Sequence, residues 1–384
     1  MITSIASNII LAEESSALGR AVVSMDYRKP SMTTTRREFL LQTTGAGVVA
    51  AASLRIAHAA KATASKDGPK VAGAGVVETV LGPLDVSKLG FTLSHEHVCY
   101  IPMGLFSDRA AAADRMVDKL KEAKAAGVDT IIDLTPFDAA RDVRFGQEVS
   151  RRSGMQIVAA TGFRFPHESY NDQTVEQIAE VYIREIEQGI EDTGVKAGVI
   201  KVASQSGAVL PAEEKGIKAA ARASKATGVP IETHTDARHR GGDAQAKILE
   251  AEGVNPARVS LGHSDDTDDV NYLIGLAKRG YTIGIDHVFY GATKAAKGEP
   301  EYVTYLRQVP WHKRAGYVKQ LIDAGFGNKI FLSNDWELER GQMNPDGFLF
   351  NTRKTIPYLM QLGISQQQIH AITVDNPKRF FGRS

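Results

Sequence analysis

From Val71 to the C-terminus, short runs rich in β-branched residues alternate with polar turns and longer amphipathic stretches. Eight of the short runs predict strands, at Gly90–His97, Asp129–Leu134, Met155–Ala160, Gly198–Ser204, Pro230–His234, Val259–His263, Tyr281–Asp286 and Lys329–Asp335. The longer stretches predict helices, for example Asp108–Ala126, Thr174–Glu191, Pro211–Thr227, Asp268–Arg279 and Trp311–Ala324. Several of these end at a glycine that is typical of helix C-termini, as at Gly127, Gly194, Gly228, Gly253 and Gly280.

This alternation defines the fold class. Strands separated by helices pair in parallel, and eight such units over roughly 250 residues match a closed (β/α)8, or TIM, barrel of the α/β class. An open, doubly wound sheet is the competing architecture. It would favour a glycine-rich phosphate loop after its first strand, where this chain has Ser94-His95-Glu96-His97. We therefore predict the barrel.

The N-terminal segment has the order of features found in export leaders. Arg36 and Arg37 precede a mild apolar stretch, Val48 to Ala60, which contains the small-x-small cleavage signal Ala57-His58-Ala59. Residues 1–59 are predicted to be a twin-arginine export leader, 60–70 a flexible lead-in, and 71–384 the barrel. Such a leader would engage the twin-arginine export machinery and deliver the body to the periplasm.

Two alternatives for this segment remain open. It can instead be an amphipathic helix with two chance arginines. The stretch before Arg36 is also long for a leader, so that a true start at Met25 or Met32 would make the upstream residues a mis-annotated extension.

The amino-acid composition excludes several classes of function. The 46 Lys and Arg residues nearly balance the 45 Asp and Glu residues, so the chain lacks the basic footprint of nucleic-acid binding. A single cysteine, Cys99, excludes an intrachain disulfide and a thiolate cage for zinc. No apolar run reaches the length of about 18 to 20 residues needed for a membrane span. We therefore expect an enzyme acting on a small molecule through His, Asp, Glu and Lys.

Residues of this kind end several predicted strands. The C-terminal strand ends of a barrel meet at one mouth, and here they carry His95 and His97, Lys201, His234, His263, Asp286 with His287, and Asp335. His95 and His97 are two apart on a strand and share a face, as a zinc clamp requires. Taken singly, each histidine can be a rim residue, Lys201 can snorkel to the surface, and Asp335 can cap a helix.

Glu96 lies on the opposite face from its two histidine neighbours and is expected to make a structural contact behind the barrel. Lys201 poses a different problem, because an ammonium has no lone pair with which to bind a metal. If Lys201 belongs to a metal site, it must lose its proton and gain an anionic cap.

Together these stretches resemble the phosphotriesterase family of the amidohydrolase superfamily. The matching blocks are Gly90–Val98 (GFTLSHEHV), Val199–Ala203 (VIKVA), Thr233–Thr235 (THT), Gly262–Asp269 (GHSDDTDD), Ser333–Trp336 (SNDW), Asn344–Gly347 (NPDG) and Thr373–Pro377 (TVDNP). The likeness extends through the whole predicted barrel.

The resemblance implies a binuclear metal-dependent hydrolase of the aryldialkylphosphatase type, with two divalent ions, most often zinc, with cobalt or manganese as alternatives. By matching position, His95, His97 and Asp335 would bind the more buried ion. His234 and His263 would bind the more exposed one. Lys201, carboxylated to a carbamate, would bridge both.

The resemblance also implies a reaction. A metal-bridging hydroxide would attack a phosphotriester, as in organophosphate catabolism, and Asp335, His287 and Asp266 would relay the released proton. Asp268 and Asp269 are expected only to form the acidic N-terminus of the next helix. Relatives are usually homodimers. The alternatives are a lactonase or carboxyl-ester hydrolase with the same metals, and a non-catalytic barrel that binds a metal or ligand.

The substrate loops depart from the family pattern. Arg164 lies between two aromatic residues where family enzymes have Trp or Tyr, and can hold an anionic or carbonyl-bearing substrate or pair with a loop carboxylate. Only residues 336–343 separate Asp335 from the NPDG block, a short loop for the organophosphate hydrolases. Candidate pocket residues are Cys99, Tyr100, Phe163, Arg164, Phe165, Phe289, Tyr290 and Trp336. Of these, Tyr100, Phe289, Tyr290 and Trp336 can equally pack the loops. Cys99 is expected to be pocket wall and not a nucleophile.

Overall fold

A computed structural model describes residues 75–101, 108–165, 169–293, 301–338 and 346–382 of the chain. The predicted leader at 1–59 and the lead-in at 60–70 lie outside these residues, as do Asn344 and Pro345 of the NPDG block, and those assignments stay predictions. Within the described ranges, no helix is long and apolar enough to cross a membrane.

The described strands form a hairpin and a barrel. The antiparallel hairpin pairs β1 (Val76–Thr79) with β2 (Gly82–Asp85). A second sheet has eight strands in sequential order, with all of the paired neighbours parallel. They are β3 (Thr92–Glu96), β4 (Thr130–Asp133), β5 (Gln156–Gly162), β6 (Val199–Ala203), β7 (Ile231–His234), β8 (Val259–Leu261), β9 (Thr282–Ile285) and β10 (Ile330–Leu332). Each predicted strand is present, and the predicted barrel is confirmed.

Helices cover the sheet between these strands. The described α-helices are α1 (Arg109–Ala125), α2 (Val143–Ser153), α3 (Ser169–Asp172), α4 (Val175–Glu187), α5 (Pro211–Thr227), α6 (Gly241–Ala251), α7 (Val270–Lys278), α8 (Glu301–Leu306), α9 (Trp311–Asp323), α10 (Ile356–Gln361), α11 (Gln366–His370) and α12 (Asn376–Phe381). Asp108 and Asp142 begin α1 and α2 by accepting from backbone N–H groups, which satisfies otherwise unpaired donors. Asp269 does the same for α7 by accepting from Tyr272 N at 3.1 Å.

One predicted helix boundary is wrong. The helix expected over Thr174–Glu191 ends at Glu187, because Gly189 takes a left-handed conformation with φ +123°. Gly194, predicted to cap this helix, lies in the turn beyond it. Gly228 does cap α5, where its backbone N–H donates to Ser224 O.

The barrel closes between its first and last strands. Asp335 N donates to His95 O at 2.9 Å, and His97 N donates to Trp336 O at 2.9 Å. His95 N also donates to Ser333 Oγ at 2.8 Å. These bonds join backbone segments about 240 residues apart and hold the ends of β3 and β10 side by side.

A buried carboxylate reinforces this seam. Glu96 is fully buried and accepts hydrogen bonds from Ser333 Oγ (2.7 Å), Asn334 N (2.8 Å), Asn334 Nδ2 (3.0 Å) and Trp336 N (2.8 Å). Burial raises the pKa of Glu96 to about 8 against the effect of these bonds. The structural contact expected for Glu96 is therefore a link to the loop after β10, which carries Asp335.

The lower part of the barrel interior is apolar. Val199 lies two residues before Lys201 on β6, so it shares the inward face of that strand, and Phe331 of β10 belongs to the same buried apolar cluster. Phe331 packs against Phe380 and Phe381 of α12 at ring distances of 5.0 and 5.7 Å. This apolar cluster excludes water from the barrel below the strand ends.

We expect Glu96→Ala to lower the free energy of unfolding by about 3 kcal/mol, because buried donors at the seam lose their acceptor. Urea unfolding of the purified protein measures this. Glu122→Ala, which removes an exposed carboxylate paired with Lys119 at 3.1 Å, is the matched control and should change stability by less than about 0.5 kcal/mol. Equal losses in both variants would contradict the role assigned to Glu96.

Candidate metal centre

The six predicted ligand residues come together at one mouth. Lys201 Nζ lies 2.7 Å from His95 Nε2, and His97 Nε2 lies 3.1 Å from Asp335 Oδ1. His95 Nε2 is also 3.8 Å from Asp335 Oδ1. Residues from β3, β6 and the segment after β10 therefore share one buried space, as predicted from the strand ends.

His234 and His263 complete the group from β7 and the end of β8. Their ring centroids are 4.4 Å apart, and His263 lies 4.6 Å from the ring of His95. The approach depends on Gly262, where a Cβ atom would lie 2.3 Å from Thr233 O and 2.8 Å from His95 Cε1. His263 itself has a left-handed backbone with φ +55°, a strained conformation of the kind found at functional sites.

Burial lowers the pKa values of three of these histidines and of Lys201. It lowers the pKa values of His95 and His234 well below their usual value, helped by the charge of Lys201 at His95 and of Arg164 at His234. Burial also lowers the pKa of His263 and brings that of Lys201 to about 8. Unprotonated imidazoles present the lone pairs that a metal needs.

The donor set fits divalent metal ions. His95, His263 and Asp335 offer ligand atoms that all lie within 4.8 Å of one another, and all three side chains are buried. Nitrogen donors with a carboxylate are typical of zinc and similar borderline metals. A second such group contains His263, Asp286 and His287.

His287 bridges two carboxylates beside this set. Its Nε2 lies 2.9 Å from Asp335 Oδ2, and its Nδ1 lies 2.9 Å from Asp266 Oδ2. Burial lowers the pKa of His287, but the Asp266 carboxylate outweighs it and the pKa rises to about 10. The predicted relay residues therefore form one continuous hydrogen-bonded chain.

A buried arginine holds the outer end of that chain. Arg314 of α9 is fully buried, and its Nη1 donates to Asp265 O and to Asp266 Oδ1, both at 2.7 Å. Burial raises the pKa of Asp265 to about 6, against the charge of Arg314. The sequence analysis missed Arg314, although it lies on the buried stripe of α9 with Tyr317, Val318 and Leu321, where a charged residue signals a buried partner.

Asp286 orients two of the histidines. Its Oδ1 lies 2.9 Å from His263 Nδ1, and its Oδ2 lies 3.1 Å from His95 Nδ1. Thr135 Oγ1 similarly lies 2.9 Å from His97 Nδ1. Partners of this kind set the ring orientation of metal-binding histidines. The sequence analysis placed Asp286 at a strand end but predicted no role for it. Its position at the mouth, among the strand ends that carry the histidines, was the signal that could have suggested this orienting role.

A cavity of about 700 Å³ opens above the histidines. Of the predicted pocket residues, four line it: Tyr100, Arg164, Phe165 and Tyr290. The wall also contains residues that sequence reasoning missed, including Thr135, Gln205, Arg238, His239, Tyr305 and Leu306.

The other four predicted pocket residues lie in the packing behind this wall. Cys99 is fully buried and faces Gly146 of α2, where a Cβ atom would lie 2.4 Å from Cys99 Sγ. Burial raises the pKa of the Cys99 thiol well above its usual value, helped by the charge of Asp133. The thiol is thus placed neither on the wall nor in a reactive state.

The three aromatic residues of this group pack against other elements. Phe163 lies over Gly216 of α5, where a Cβ atom would lie 2.2 Å from the Phe163 ring. The ring of Trp336 lies 4.5 Å from that of Phe348. Phe289 stacks on Tyr290 at 4.1 Å, so it supports a wall residue from behind. Phe289 and Trp336 therefore pack the loops, which is the alternative left open for them, and Phe163 packs against α5 and does not line the cavity.

Arg164 is held in place at the wall. Its Nη1 donates to Gln205 Oε1 at 2.6 Å, and Gln205 Nε2 donates to Arg164 O at 2.8 Å. The backbone N–H groups of Arg164 and Phe165 donate to Asp138, at 2.9 and 2.7 Å. The guanidinium carbon lies 4.7 Å from the Phe165 ring centroid. These contacts fix a cationic side chain beside the cavity.

Known proteins resemble this chain over most of its length. The sequence profile of the phosphotriesterase family matches residues 75–381. A phosphotriesterase homology protein of Mycobacterium tuberculosis is 33% identical over 337 residues, which cover 80% of this chain and 98% of the relative. An aryldialkylphosphatase of Saccharolobus solfataricus is 31% identical over 323 residues, covering 78% and 96%.

The solved structure of the phosphotriesterase from Mycobacterium tuberculosis is similar to the whole barrel. The two superpose with a TM-score of 0.71 at 32% identity, and the match covers 80% of this chain and 98% of that structure. The family profile, the shared barrel and the buried ligand-type residues at its mouth agree. The chain belongs to the phosphotriesterase family of hydrolases.

Proposed function

We propose that this protein is a binuclear metal-dependent hydrolase that cleaves ester bonds, with phosphotriesters as the first candidate substrate class. One observation carries the proposal: four histidines, Lys201 and Asp335 meet at the floor of a cavity, beside a hydrogen-bonded chain that leads from Asp335 to Asp266. The similar aryldialkylphosphatase supports phosphorus as the reacting centre.

The residues fit two divalent ions, most often zinc in this family. His95, His97 and Asp335 would hold one ion, and His234 and His263 the other. Lys201, as a carbamate, would contact both, because a free ammonium has no lone pair to offer. Bound ions supply Lewis-acid polarisation of the ester and lower the pKa of a water molecule.

The protein's own groups then move the proton released in hydrolysis. When His287 is neutral with its proton on Nδ1, a proton that reaches Asp335 Oδ2 can pass to His287 Nε2, and the Nδ1 proton then passes to Asp266. Asp266 lines the cavity and can return the proton to water. Arg314 keeps the Asp266 carboxylate in position at 2.7 Å during this transfer.

A lactone or another carboxyl ester is the second candidate substrate class. Arg164, Gln205 and Arg238 give the cavity wall a polar and cationic character. A carbonyl-bearing substrate with further oxygen atoms can accept hydrogen bonds from several of these side chains at once.

Paired kinetics on a chromogenic phosphotriester and a set of lactones separate the two candidates. We expect both classes to be hydrolysed by the zinc-loaded protein, with activity lost on chelation and restored by zinc. A kcat/KM for lactones larger by about two decades, which corresponds to about 2.7 kcal/mol, would make carboxyl-ester cleavage the primary activity. Activity that survives complete metal removal would end the proposal.

Replacing Lys201 by alanine tests the bridging carbamate. We expect Lys201→Ala to lose both ions, with partial recovery of metal and activity on addition of a small carboxylic acid. Elemental analysis measures the metal, and Lys218→Ala, which removes a surface lysine paired with Glu214 at 2.7 Å, is the control. Unchanged metal content in Lys201→Ala would remove the carbamate from the mechanism.

Replacing His287 tests the proton relay. His287→Asn should slow turnover by about 100-fold or more, in the range known for general acid–base groups, while both ions are retained. Steady-state kinetics and elemental analysis on the same sample measure the two effects, with the exposed His370→Asn as the control. Loss of metal in His287→Asn would make His287 a ligand and not a relay.

A further inference from the structure

We propose that the substrate carries a negatively charged group remote from the scissile ester bond, and that Arg238 binds this group with support from Arg164. The inference rests on the proposed ester hydrolysis and adds the charge class of the substrate. It depends on how the two guanidinium groups are held at the wall of the cavity.

Arg238 is presented to the cavity by a rigid turn just after the ligand residue His234. The turn Ala237–His239 begins at Asp236, whose Oδ2 lies 2.7 Å from His239 Nδ1 and whose Oδ1 accepts from His239 N at 3.3 Å. None of these contacts uses the Arg238 side chain. The turn therefore places this guanidinium without consuming its hydrogen-bond donors.

The Arg238 guanidinium lies over an aromatic ring. Its central carbon is 3.9 Å from the ring centroid of Tyr305, which also lines the cavity. The Tyr305 hydroxyl donates to Asp266 O at 2.8 Å, so the ring is fixed. Stacking of this kind orders a guanidinium and leaves the N–H groups at its edge available to an anion.

Arg238 forms no ion pair with the side chains that the structure describes. Among those residues, no carboxylate oxygen lies within 4.0 Å of its guanidinium, whereas its neighbour Arg240 contacts both Asp243 and Asp269. An exposed arginine without a carboxylate partner, ordered against a cavity wall, is a binding group for an anionic oxyacid.

The carboxylates on the same wall are largely engaged elsewhere. Asp236 contacts His239, Asp266 contacts His287 and Arg314, and Asp335 contacts His97 and His287. Glu337 also lines the wall, two residues beyond Asp335. Asp236, Asp266 and Asp335 are therefore held by partners of their own, and the cavity wall also carries the guanidinium groups of Arg164 and Arg238.

Arg164 adds a second cation from a different strand end. It follows β5, whereas Arg238 follows β7, and both line the cavity that contains Lys201 and the histidines. Gln205 orients the Arg164 guanidinium at 2.6 Å. A small molecule with its ester at the histidines therefore meets a guanidinium on either side, which suits a carboxylate or a phosphate on a side arm.

The test compares matched substrates on the zinc-loaded protein. They are one chromogenic ester without charge, the same ester with a remote carboxylate, and the same ester with a remote phosphate. We expect the wild type to favour at least one charged ester by about tenfold or more in kcat/KM. Arg238→Gln should reduce that preference by about 10- to 100-fold, mainly through the KM of the charged ester.

Two further variants make the result specific. Arg238→Lys keeps the charge and should restore part of the preference, and added salt should weaken it in the wild type. Arg240→Gln removes an arginine that follows the same turn but does not line the cavity. This variant should favour the charged ester as strongly as the wild type does. Equal preference in the wild type and Arg238→Gln, or an equal loss in Arg240→Gln, would overturn the proposal.

A binding measurement separates this proposal from the hydrolytic one. Titration calorimetry with glutarate on the zinc-loaded protein should give a Kd at least about tenfold weaker in Arg238→Gln than in the wild type. If no ester is cleaved but this difference appears, the proposed ester hydrolysis fails and the anion site stands. Identical Kd values would rule out the anion site whatever the ester kinetics show.

Discussion

The candidate centre depends on the seam that joins the first and last barrel strands. His95 and His97 stand at the end of β3, and Asp335 follows β10, so the three meet only because the barrel closes. Backbone hydrogen bonds and the buried Glu96 carboxylate fix this closure in register. The same residues therefore serve the architecture and the geometry of the centre. A structural carboxylate directly between two ligand-type histidines is the clearest sign of that double use.

Two buried networks, whose histidine pKa values shift in opposite directions, lie side by side at the mouth. Burial and the charge of Lys201 outweigh the Asp286 carboxylate and lower the pKa of His95, and burial with Arg164 lowers that of His234. The Asp266 and Asp335 carboxylates instead raise the pKa of His287 to about 10. The rings of His263 and His287 stack at 4.0 Å, yet they belong to different networks. Partners, and not burial alone, therefore decide which histidines can donate a lone pair and which can carry a proton.

The sequence was sufficient for the barrel and for the six side chains of the centre, because strand ends in a parallel barrel converge whatever the loops do. It was insufficient for the cavity wall. Trp336 follows Asp335 directly and yet turns away to pack on Phe348, since spacing in a loop does not determine where a side chain points. Arg238 and Tyr305 are in contact although they are far apart in the sequence, and no local sequence pattern predicts that contact. Arg314 left only an indirect signal, a charge within an apolar helical stripe.

The distance in sequence between the two sides of the seam has a consequence for biosynthesis. Its hydrogen bonds span 237 to 240 residues, and the rings of Phe380 and Phe381 complete the apolar floor. Contacts of such long range form late in folding. A chain still emerging from the ribosome thus carries the ligand-type side chains of the earlier strands. It has no closed barrel to bring them together with Asp335. The candidate centre can therefore assemble only after the residues up to Phe381 have left the ribosome.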